Sequence, residues 1–340
     1  MSDRPLRAGI AGYGLAGRYF HAPFLRAAGF DVVGATTKNL ERVAHLKADF
    51  PEARAFDSVA SMLDQEIDLL VVASANVSHA ADAIAGLRAG AAVVVDKPMG
   101  RTFTEAKLIA DVAGETGSLL TTYFNRRWDS DALTIKKAIK SGILGNIFRI
   151  DSRFERFRAE GNPDSWRENS SAADGGGNLL DLQPHLISLV LDWFGPAKLV
   201  YSSVRSIRGL ADDDVVLVLR HDSGVDSYLS ASAIVGAPGP RIRLMGDKGS
   251  LVINDLDKQE PLLRAGVNPD KGGWKIDTTS PAQLVRGNES VPFDAVAGDY
   301  THFYIAVADA IRGKGVMPVS IQDALDVALI LDQARASSIR

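Results

Sequence analysis

Cysteine is absent from this chain of 340 residues. The absence excludes disulfide bonds, thiolate metal ligands and a cysteine nucleophile, and it fits a reducing compartment, so we expect a cytoplasmic protein. No apolar run is long enough to span a bilayer, and no apolar segment of the signal-peptide kind precedes the first predicted strand. We therefore expect neither a membrane partner nor a signal peptide.

A strong charge of one sign is also missing. The formal net charge is −4, 24% of the residues are charged, and the basic residues form no stripe. Proteins that bind nucleic acids usually carry such a stripe, so we expect no nucleic-acid partner. The six histidines are scattered without the spacing of metal ligands, and we expect no metal site.

The length of the chain favours two domains. In residues 1–124, apolar runs typical of buried strands alternate with helical patterns. The predicted strands after the first are Phe30–Ala35, Asp68–Ala73, Ala91–Val95 and Ser118–Phe124. The helical patterns between them are Asn39–Asp49, Ser78–Arg88 and Thr102–Glu115. Near-continuous apolar strands separated by helices predict a doubly wound parallel sheet.

The pattern changes in residues 125–340, where predicted strands follow one another with short turns. These strands are Ile147–Phe157, Lys198–Ile207, Asp213–His221, Val225–Ile234 and Arg241–Met245. Their succession predicts a largely antiparallel sheet. We expect helices at Ser130–Lys140, Asn178–Phe194, Asp299–Arg312 and Ile321–Ser338, and loop with short elements over 258–295.

A glycine-rich turn, Gly12–Gly17, directly follows the first predicted strand and precedes a helical pattern. In this context G-x-G-x-x-G indicates a dinucleotide-binding site. Gly12 would permit the tight turn, Gly14 would let a pyrophosphate approach the backbone, and Gly17 would let the helix pack on the strand. Glycines that serve packing alone are the alternative, but the position after the first strand favours a cofactor.

The end of the second predicted strand lacks the acidic residue that usually holds the ribose 2′-hydroxyl of NAD. Thr37 and Lys38 occupy that position, and Arg42 follows one helical turn later. These side chains suit a 2′-phosphate. We therefore expect NADP as the cofactor, with NAD as the alternative.

Lys97 follows a predicted strand at the edge where open parallel sheets bind ligands, and Pro98 stiffens its turn. A surface lysine paired with Asp96 is the alternative interpretation. Asp181 and His185 are four residues apart in a predicted helix, so they share one face. A carboxylate beside an imidazole can fix its tautomer and raise its basicity, although a simple polar pair explains the spacing at least as well.

Arginines and aromatic residues suited to a polyhydroxylated ligand occur early in the second domain. They are found in Asn125–Asp129, at Arg153, Arg156 and Arg158, and in the dipeptide Trp166-Arg167. Most arginines in such patterns lie on solvated faces, so the pattern alone does not distinguish a ligand-binding arginine from an ordinary surface arginine.

Together these residues resemble the glucose–fructose oxidoreductase / inositol dehydrogenase / rhizopine-catabolism (Gfo/Idh/MocA) oxidoreductase family over essentially the whole chain. Four segments in order carry the resemblance: Gly12–Gly17, Ser74–His79, Asp96–Pro98 and Asp181–His185. Phe20–Leu25 and Asn125–Asp129 are similar to the NADP-dependent scyllo-inositol dehydrogenase branch. The chain departs from the family at Asp96, often glutamate, and at Gln183, usually glycine, which bears on the shape of the pocket more than on the chemistry.

The resemblance implies a Rossmann domain followed by an α/β domain whose open, mainly antiparallel sheet forms a dimer or tetramer interface. It implies that Lys97, Asp181 and His185 are catalytic. Besides Gly12, Gly14, Gly17 and the 2′-phosphate residues, the implied cofactor contacts are Leu15, Ala16, Ser74, Asn76, His79, Lys97 and Asn125. The implied substrate contacts are Lys97, Asn125, Arg156, Trp166, Arg167, Asp181 and His185.

We thus expect an NADP-dependent oxidoreductase that moves hydride between nicotinamide and a secondary hydroxyl or ketone of a cyclic polyol or sugar, with an inositol-type substrate favoured. His185 would be the base, Asp181 would orient it, and Lys97 would offset alkoxide charge. An aldose dehydrogenase of the same family and a non-catalytic dinucleotide-binding regulator are the alternatives. The presence of all three catalytic residues argues against the regulator.

Overall fold

The computed structural model describes residues 4–162, 164–171, 174–209, 211–269 and 281–337. Two β-sheets organise this part of the chain, one of six strands and one of eight. Each helix in the described ranges is too short or too polar to cross a membrane.

The first sheet is parallel throughout, with the strand order β3-β2-β1-β4-β5-β6. Its strands are β1 (Arg7–Ala11), β2 (Asp31–Thr36), β3 (Arg54–Phe56), β4 (Leu69–Val72), β5 (Ala92–Val95) and β6 (Leu120–Thr122). This order confirms the predicted doubly wound sheet. The strand order reverses between β1 and β4, so a crevice that can bind a ligand lies at their carboxyl ends.

Helices cover both faces of this sheet. They are α1 (Ala22–Ala27), α2 (Leu40–Asp49), α3 (Val59–Leu63), α4 (His79–Arg88) and α5 (Phe103–Thr116), and a π-helical turn, Ala16–His21, precedes α1. Every residue of β4 and β5 is buried, because successive side chains of a strand point to opposite faces and both faces are covered. The short elements β3 and α3 were not predicted.

The second sheet has the order β14-β13-β12-β11-β7-β10-β9-β8. Its strands are β7 (Ile147–Glu155), β8 (Ala197–Arg205), β9 (Asp214–His221), β10 (Asp226–Ser232), β11 (Ile242–Gly246), β12 (Gly249–Ile253), β13 (Ala282–Arg286) and β14 (Glu289–Phe293). The sheet is antiparallel except where β10 returns beside β7 in the same direction. The predicted, mainly antiparallel sheet is confirmed, while β12 to β14 were not predicted as strands.

The helices of the second half are α6 (Ser130–Ser141), α7 (Trp166–Asn169), α8 (Asn178–Asp181), α9 (Gln183–Phe194), α10 (Gln259–Arg264), α11 (Thr301–Ile311) and α12 (Ile321–Ser337). A 3₁₀ turn, Asn125–Trp128, precedes α6. The single helix predicted over Asn178–Phe194 is divided at Leu182. Pro184 has no N–H to continue the hydrogen-bond ladder, which explains the division.

The two faces of the second sheet differ. Helices α9 and α12 pack on one face, where Leu217 and Leu229 are fully buried neighbours. On the other face Tyr201, Val218 and Tyr228 lie side by side on three adjacent strands. The two tyrosines of this row are 49% and 41% exposed.

Helix α12 also joins the two halves of the molecule. It packs on α5 and β6 as well as on β8. The carboxylate of Asp332 accepts a hydrogen bond from the backbone N–H of Phe103 at 2.8 Å, at the start of α5. Just before α12, the carbonyl of Val319 accepts one from the hydroxyl of Thr121 at 2.8 Å.

Candidate active site

The glycine turn lies at the carboxyl end of β1, in the crevice between β1 and β4. Gly12 has a φ of +96°, and a Cβ there would come within 2.8 Å of the carbonyl oxygen of Ala73. A Cβ at Gly17 would overlap the carbonyl oxygen of Gly12. Backbone conformation and packing therefore require glycine at position 12, and packing alone requires it at position 17.

Gly14 is different, because nothing in the described chain demands glycine there. Its φ is not in the left-handed region, and the nearest atom to an added Cβ would be a guanidinium nitrogen of Arg42 at 3.7 Å. A glycine that neither conformation nor packing requires leaves backbone open to a ligand. The turn therefore fits the pyrophosphate of a dinucleotide, which binds in a glycine turn at the start of a helix.

A crevice of about 220 Å³ adjoins this turn. It is lined by several predicted cofactor residues: Gly12, Gly14, Ala16, Arg42, Ser74, Asn76 and Lys97. Thr37 lies just beyond the carboxyl end of β2 and is half-buried, and Lys38 beside it is exposed. Leu15 lies on the larger cleft described below, together with Asn125, which is 7% exposed.

His79 does not face either cavity, contrary to its predicted role as a cofactor contact. The ring is 1% exposed, with Nδ1 3.0 Å from the carbonyl oxygen of Pro98 and Nε2 3.1 Å from that of Ser74. His79 thus ties the loop after β4 to the loop that carries Lys97. Its contribution to the site is to hold these two loops together.

Lys97 is held by Asp181 through two contacts. Its Nζ donates to the carboxylate of Asp181 at 2.7 Å and to the backbone carbonyl of the same residue at 2.5 Å. That carbonyl is available because the helix is divided: the N–H of His185 bonds to Leu182 instead. The break between α8 and α9 therefore creates half of the lysine's anchoring site.

The carboxylate of Asp181 faces cations rather than His185. Besides Lys97, the Nε of Arg167 lies 3.3 Å from Oδ1. Burial would raise the pKa of Asp181, but Lys97 and Arg167 outweigh it and lower the pKa to about 2. The expected hydrogen bond between Asp181 and His185 does not occur among the described residues, because the break at Leu182 removes the regular helical spacing.

His185 is a buried, neutral imidazole on the wall of the larger cleft. It is 7% exposed, and its Nδ1 is buried without a hydrogen-bond partner. Burial, followed by the positive charges of Lys97, Arg126 and Arg241, lowers its pKa well below 6.5. A histidine held neutral in this way can accept a proton near neutral pH.

Asp96 fixes the start of the turn that carries Lys97. Its Oδ1 accepts the backbone N–H of Lys97 at 2.8 Å, and its Oδ2 lies 3.7 Å from Nε2 of His21. Burial would raise the pKa of Asp96, but His21 and Lys97 lower it below its ordinary value. His21 itself is fully buried, with Nδ1 2.6 Å from the hydroxyl of Tyr304. The ammonium group of Lys97 pairs with Asp181 and is largely buried, so the alternative of a surface Asp96–Lys97 pair is wrong.

The larger cleft, about 840 Å³, brings together Lys97, Asn125, Arg156, Arg167, Asp181 and His185. These are the predicted substrate residues apart from Trp166, whose side chain lies outside the described part of the structure. Sequence reasoning missed Arg241 and singled out Arg126 only within the segment Asn125–Asp129. Their guanidinium carbons lie 4.0 and 5.1 Å from the ring centre of Phe154. That ring in turn packs against His185, with ring centres 6.4 Å apart.

A glycine turn at the reversal point of a parallel sheet, with a lysine–carboxylate pair and a neutral histidine nearby, defines a dinucleotide-binding oxidoreductase. Comparison with known families agrees. Residues 6–124 match "Oxidoreductase family, NAD-binding Rossmann fold", and residues 136–339 match "Oxidoreductase family, C-terminal alpha/beta domain". The chain belongs to the Gfo/Idh/MocA oxidoreductase family and is an NAD(P)-dependent dehydrogenase.

Individual relatives cover nearly the whole chain. The scyllo-inositol 2-dehydrogenase (NADP(+)) IolW of Bacillus subtilis (strain 168) is 34% identical, over 98% of this chain and 94% of the relative. The uncharacterized oxidoreductase YdgJ of Escherichia coli (strain K12) is 32% identical, over 98% and 96%. The solved structure of the oxidoreductase yvaA from Bacillus subtilis has a TM-score of 0.88 at 32% identity, over 98% and 97%.

Proposed function

We propose that this dehydrogenase uses NADP and acts on a secondary hydroxyl or ketone of a cyclic polyol or sugar, with an inositol-type substrate favoured. The observation that carries the proposal is the position of Lys97. Lys97 lines both the crevice beside the glycine turn and the larger cleft that contains the neutral His185. Similarity to an NADP-dependent scyllo-inositol dehydrogenase supports the choice of cofactor and substrate.

His185 is the proposed base. A bound nicotinamide supplies the site that accepts or returns hydride. The substrate hydroxyl gives its proton to Nε2 of His185, because Nδ1 is buried. The lowered pKa keeps the imidazole unprotonated, and thus able to accept that proton.

Lys97 stabilises the negative charge that develops on the same oxygen, as a fixed donor in a partly enclosed site. Its side chain is only 14% exposed. Asp181 has a revised role in this proposal: with its carboxylate and its carbonyl on the ammonium group, it positions Lys97 rather than orienting His185. The cations around Asp181 keep its carboxylate charged at neutral pH.

The preference for NADP rests on the residues around the end of β2. Arg42 lies against Gly14 and lines the cofactor crevice, while Thr37 and Lys38 occupy the position of the usual acidic residue. A guanidinium and an ammonium group suit a 2′-phosphate, through charge-assisted hydrogen bonds. Residues 1–124 form the cofactor domain in this proposal, and residues 125–340 form the substrate and oligomerisation domain.

The proposed oligomer is a homodimer or homotetramer built through the second sheet. The row Tyr201, Val218 and Tyr228 on its outer face supports this, since large apolar patches are seldom left in water. We expect light scattering at micromolar concentration to give a multiple of the chain mass. A monomer mass would contradict the oligomer. The absence of cysteine also supports a cytoplasmic location.

A substrate screen tests the proposed function directly. Inositols, cyclic sugars and other polyols are each incubated with NADP and with NAD, and reduced nicotinamide is followed by its absorbance. We expect turnover of at least one cyclic polyol or sugar with NADP, at lower cofactor concentration than with NAD. Turnover confined to anomeric hydroxyls would indicate the aldose dehydrogenase instead, and cofactor binding without any turnover would indicate the regulator.

A further inference from the structure

The larger cleft is rich in arginine, and most of its guanidinium groups are already neutralised. Arg126 pairs with Glu260 at 2.8 Å, Arg208 with Asp213 at 2.9 Å and Arg241 with Asp131 at 3.2 Å. A desolvated guanidinium normally has such a partner, because an unpaired charge in a partly enclosed site is costly.

Arg156 and Arg158 have no such ion pair within the described part of the chain, although both are exposed residues and therefore partly solvated. Both line the cleft, and the ion pairs of the described residues include neither. Partial burial and then the positive charge of Arg158 lower the pKa of Arg156, and the carboxylates of Asp181 and Glu168 offset only part of this effect. These two guanidinium groups therefore repel one another, and an anion between them would relieve the repulsion.

The backbone that carries them is fixed. The N–H of Arg156 bonds to the carbonyl of Ser232 at 3.0 Å, and that of Arg158 bonds to Ala233 at 2.7 Å. Phe157 between them pairs with Ile234 in a β-bridge. In extended backbone, residues two apart point to the same side, so both arginines are presented together.

The pair also lies near the reacting groups, but away from the proposed pyrophosphate position. The positive charge of Arg156 acts on the carboxylate of Asp181, which holds Lys97. The crevice beside Gly12 and Gly14 is lined by neither Arg156 nor Arg158. An anion held by the pair would thus belong to the substrate rather than to the cofactor.

We propose, building on the proposed function, that the substrate is a sugar or polyol bearing an oxyanion, a carboxylate or a phosphate, which Arg156 and Arg158 bind. Guanidinium groups bind both kinds of oxyanion through paired, charge-assisted hydrogen bonds. A neutral polyol would leave the two neighbouring arginines without an anion to offset their mutual repulsion.

Matched sugars test this inference. Glucose is compared with glucuronate and glucose 6-phosphate, and an inositol with its monophosphate, in the presence of NADP. Binding is measured by calorimetry and turnover by nicotinamide absorbance. We expect at least one anionic compound to bind about tenfold or more tightly than its neutral partner, and the carboxylate and phosphate arms identify which oxyanion is used.

The variants Arg156→Gln and Arg158→Gln should each remove most of that preference without changing the affinity for NADP. Arg88→Gln is the matched control, because Arg88 is an exposed arginine at the end of α4, outside the cleft. The control should keep the preference.

Each failure has a distinct meaning. Neutral compounds that bind and react as well as the anionic ones would overturn the oxyanion inference and leave the proposed function intact. If no compound of either kind reacts, the proposed function fails, and calorimetry still decides the oxyanion inference. An anion preference that survives in both arginine variants would also overturn it.

Discussion

The cofactor side and the substrate side of this molecule are built by different means. On the cofactor side, the glycine turn and the strand ends form a crevice that is lined mostly by residues of the first half of the chain. On the substrate side, Lys97, Asp181 and His185 meet through side chains from both halves of the chain. Backbone geometry thus supports cofactor binding, and long-range side-chain contacts support the chemistry.

Substitution of Lys97 should give the largest difference between an effect on turnover, which belongs to the substrate side, and an effect on NADP affinity, which belongs to the cofactor side. We expect Lys97→Ala to lose on the order of a hundredfold or more in turnover, because the alkoxide loses its charged donor. NADP affinity should stay within a few fold. Steady-state kinetics and cofactor titration measure both quantities, and His185→Ala should behave similarly.

Lys107→Ala is the matched control, since Lys107 is an exposed lysine paired with Asp111 on α5. It should leave turnover unchanged. Near-normal turnover in Lys97→Ala would refute the proposed chemistry, and a lost NADP affinity with unchanged turnover at saturation would make Lys97 a cofactor ligand only. Asp181→Asn should be milder, because the carbonyl contact to Lys97 remains.

Substitutions at Gly17 and Gly14 distinguish a packing role from a cofactor-binding role within the glycine turn. Gly17→Val should destabilise the fold by roughly 1–3 kcal/mol or more, because its side chain overlaps the carbonyl of Gly12. Gly14→Ala should leave the free energy of unfolding nearly unchanged and weaken NADP binding. Denaturant unfolding and cofactor titration distinguish the two effects; equal NADP affinity in Gly14→Ala would mean that no ligand approaches this residue closely.

A carboxylate at the end of β2 should change the choice of cofactor. Thr37→Asp would repel a 2′-phosphate and accept a ribose hydroxyl, so we expect it to favour NAD where the unaltered protein favours NADP by about tenfold or more. Glu41→Gln, a charge change in the first turn of α2, should leave the preference as it is. Equal or tighter binding of NAD by the unaltered protein would contradict this prediction.

The pH profile tests the neutral histidine and gives the smallest expected effect. With its pKa well below 6.5, His185 stays unprotonated at neutral pH, so kcat/KM for oxidation should not fall between pH 7.5 and about 6.5. Below about 6.5 the unfolded chain binds a proton that the folded site does not, so His185 makes stability decrease as pH falls. His185→Gln should reduce that decrease, and an acid limb in kcat/KM above pH 6.5 would be inconsistent with the proposed state.

Local signals explain which parts of the fold could be predicted. The apolar residues of β4 and β5 identify buried strands directly, because both faces are covered. β3 has only three residues, two of them exposed, and offers no such signal. The predicted parallel sheet therefore contained the buried strands β4 and β5 and lacked the edge strand β3.

The sequence identified most residues of the candidate site, but it did not identify which of these residues contact one another. The spacing of Asp181 and His185 suggested a pair, but Pro184 ends the regular helix and redirects the carboxylate to Lys97. The roles of Arg126 and Arg241 depend on their packing against Phe154, to which no local pattern points. Such contacts become visible only when distant segments are brought together.

Helix α12 has a consequence for the order in which the protein is made. The ribosome releases the strands of the first sheet long before it releases this helix, yet α5 and β6 depend on it for packing. Until then the N–H of Phe103 lacks the carboxylate of Asp332 that receives it in the finished protein. The half of the protein that is synthesised first therefore gains this packing partner only after helix α12 has been made.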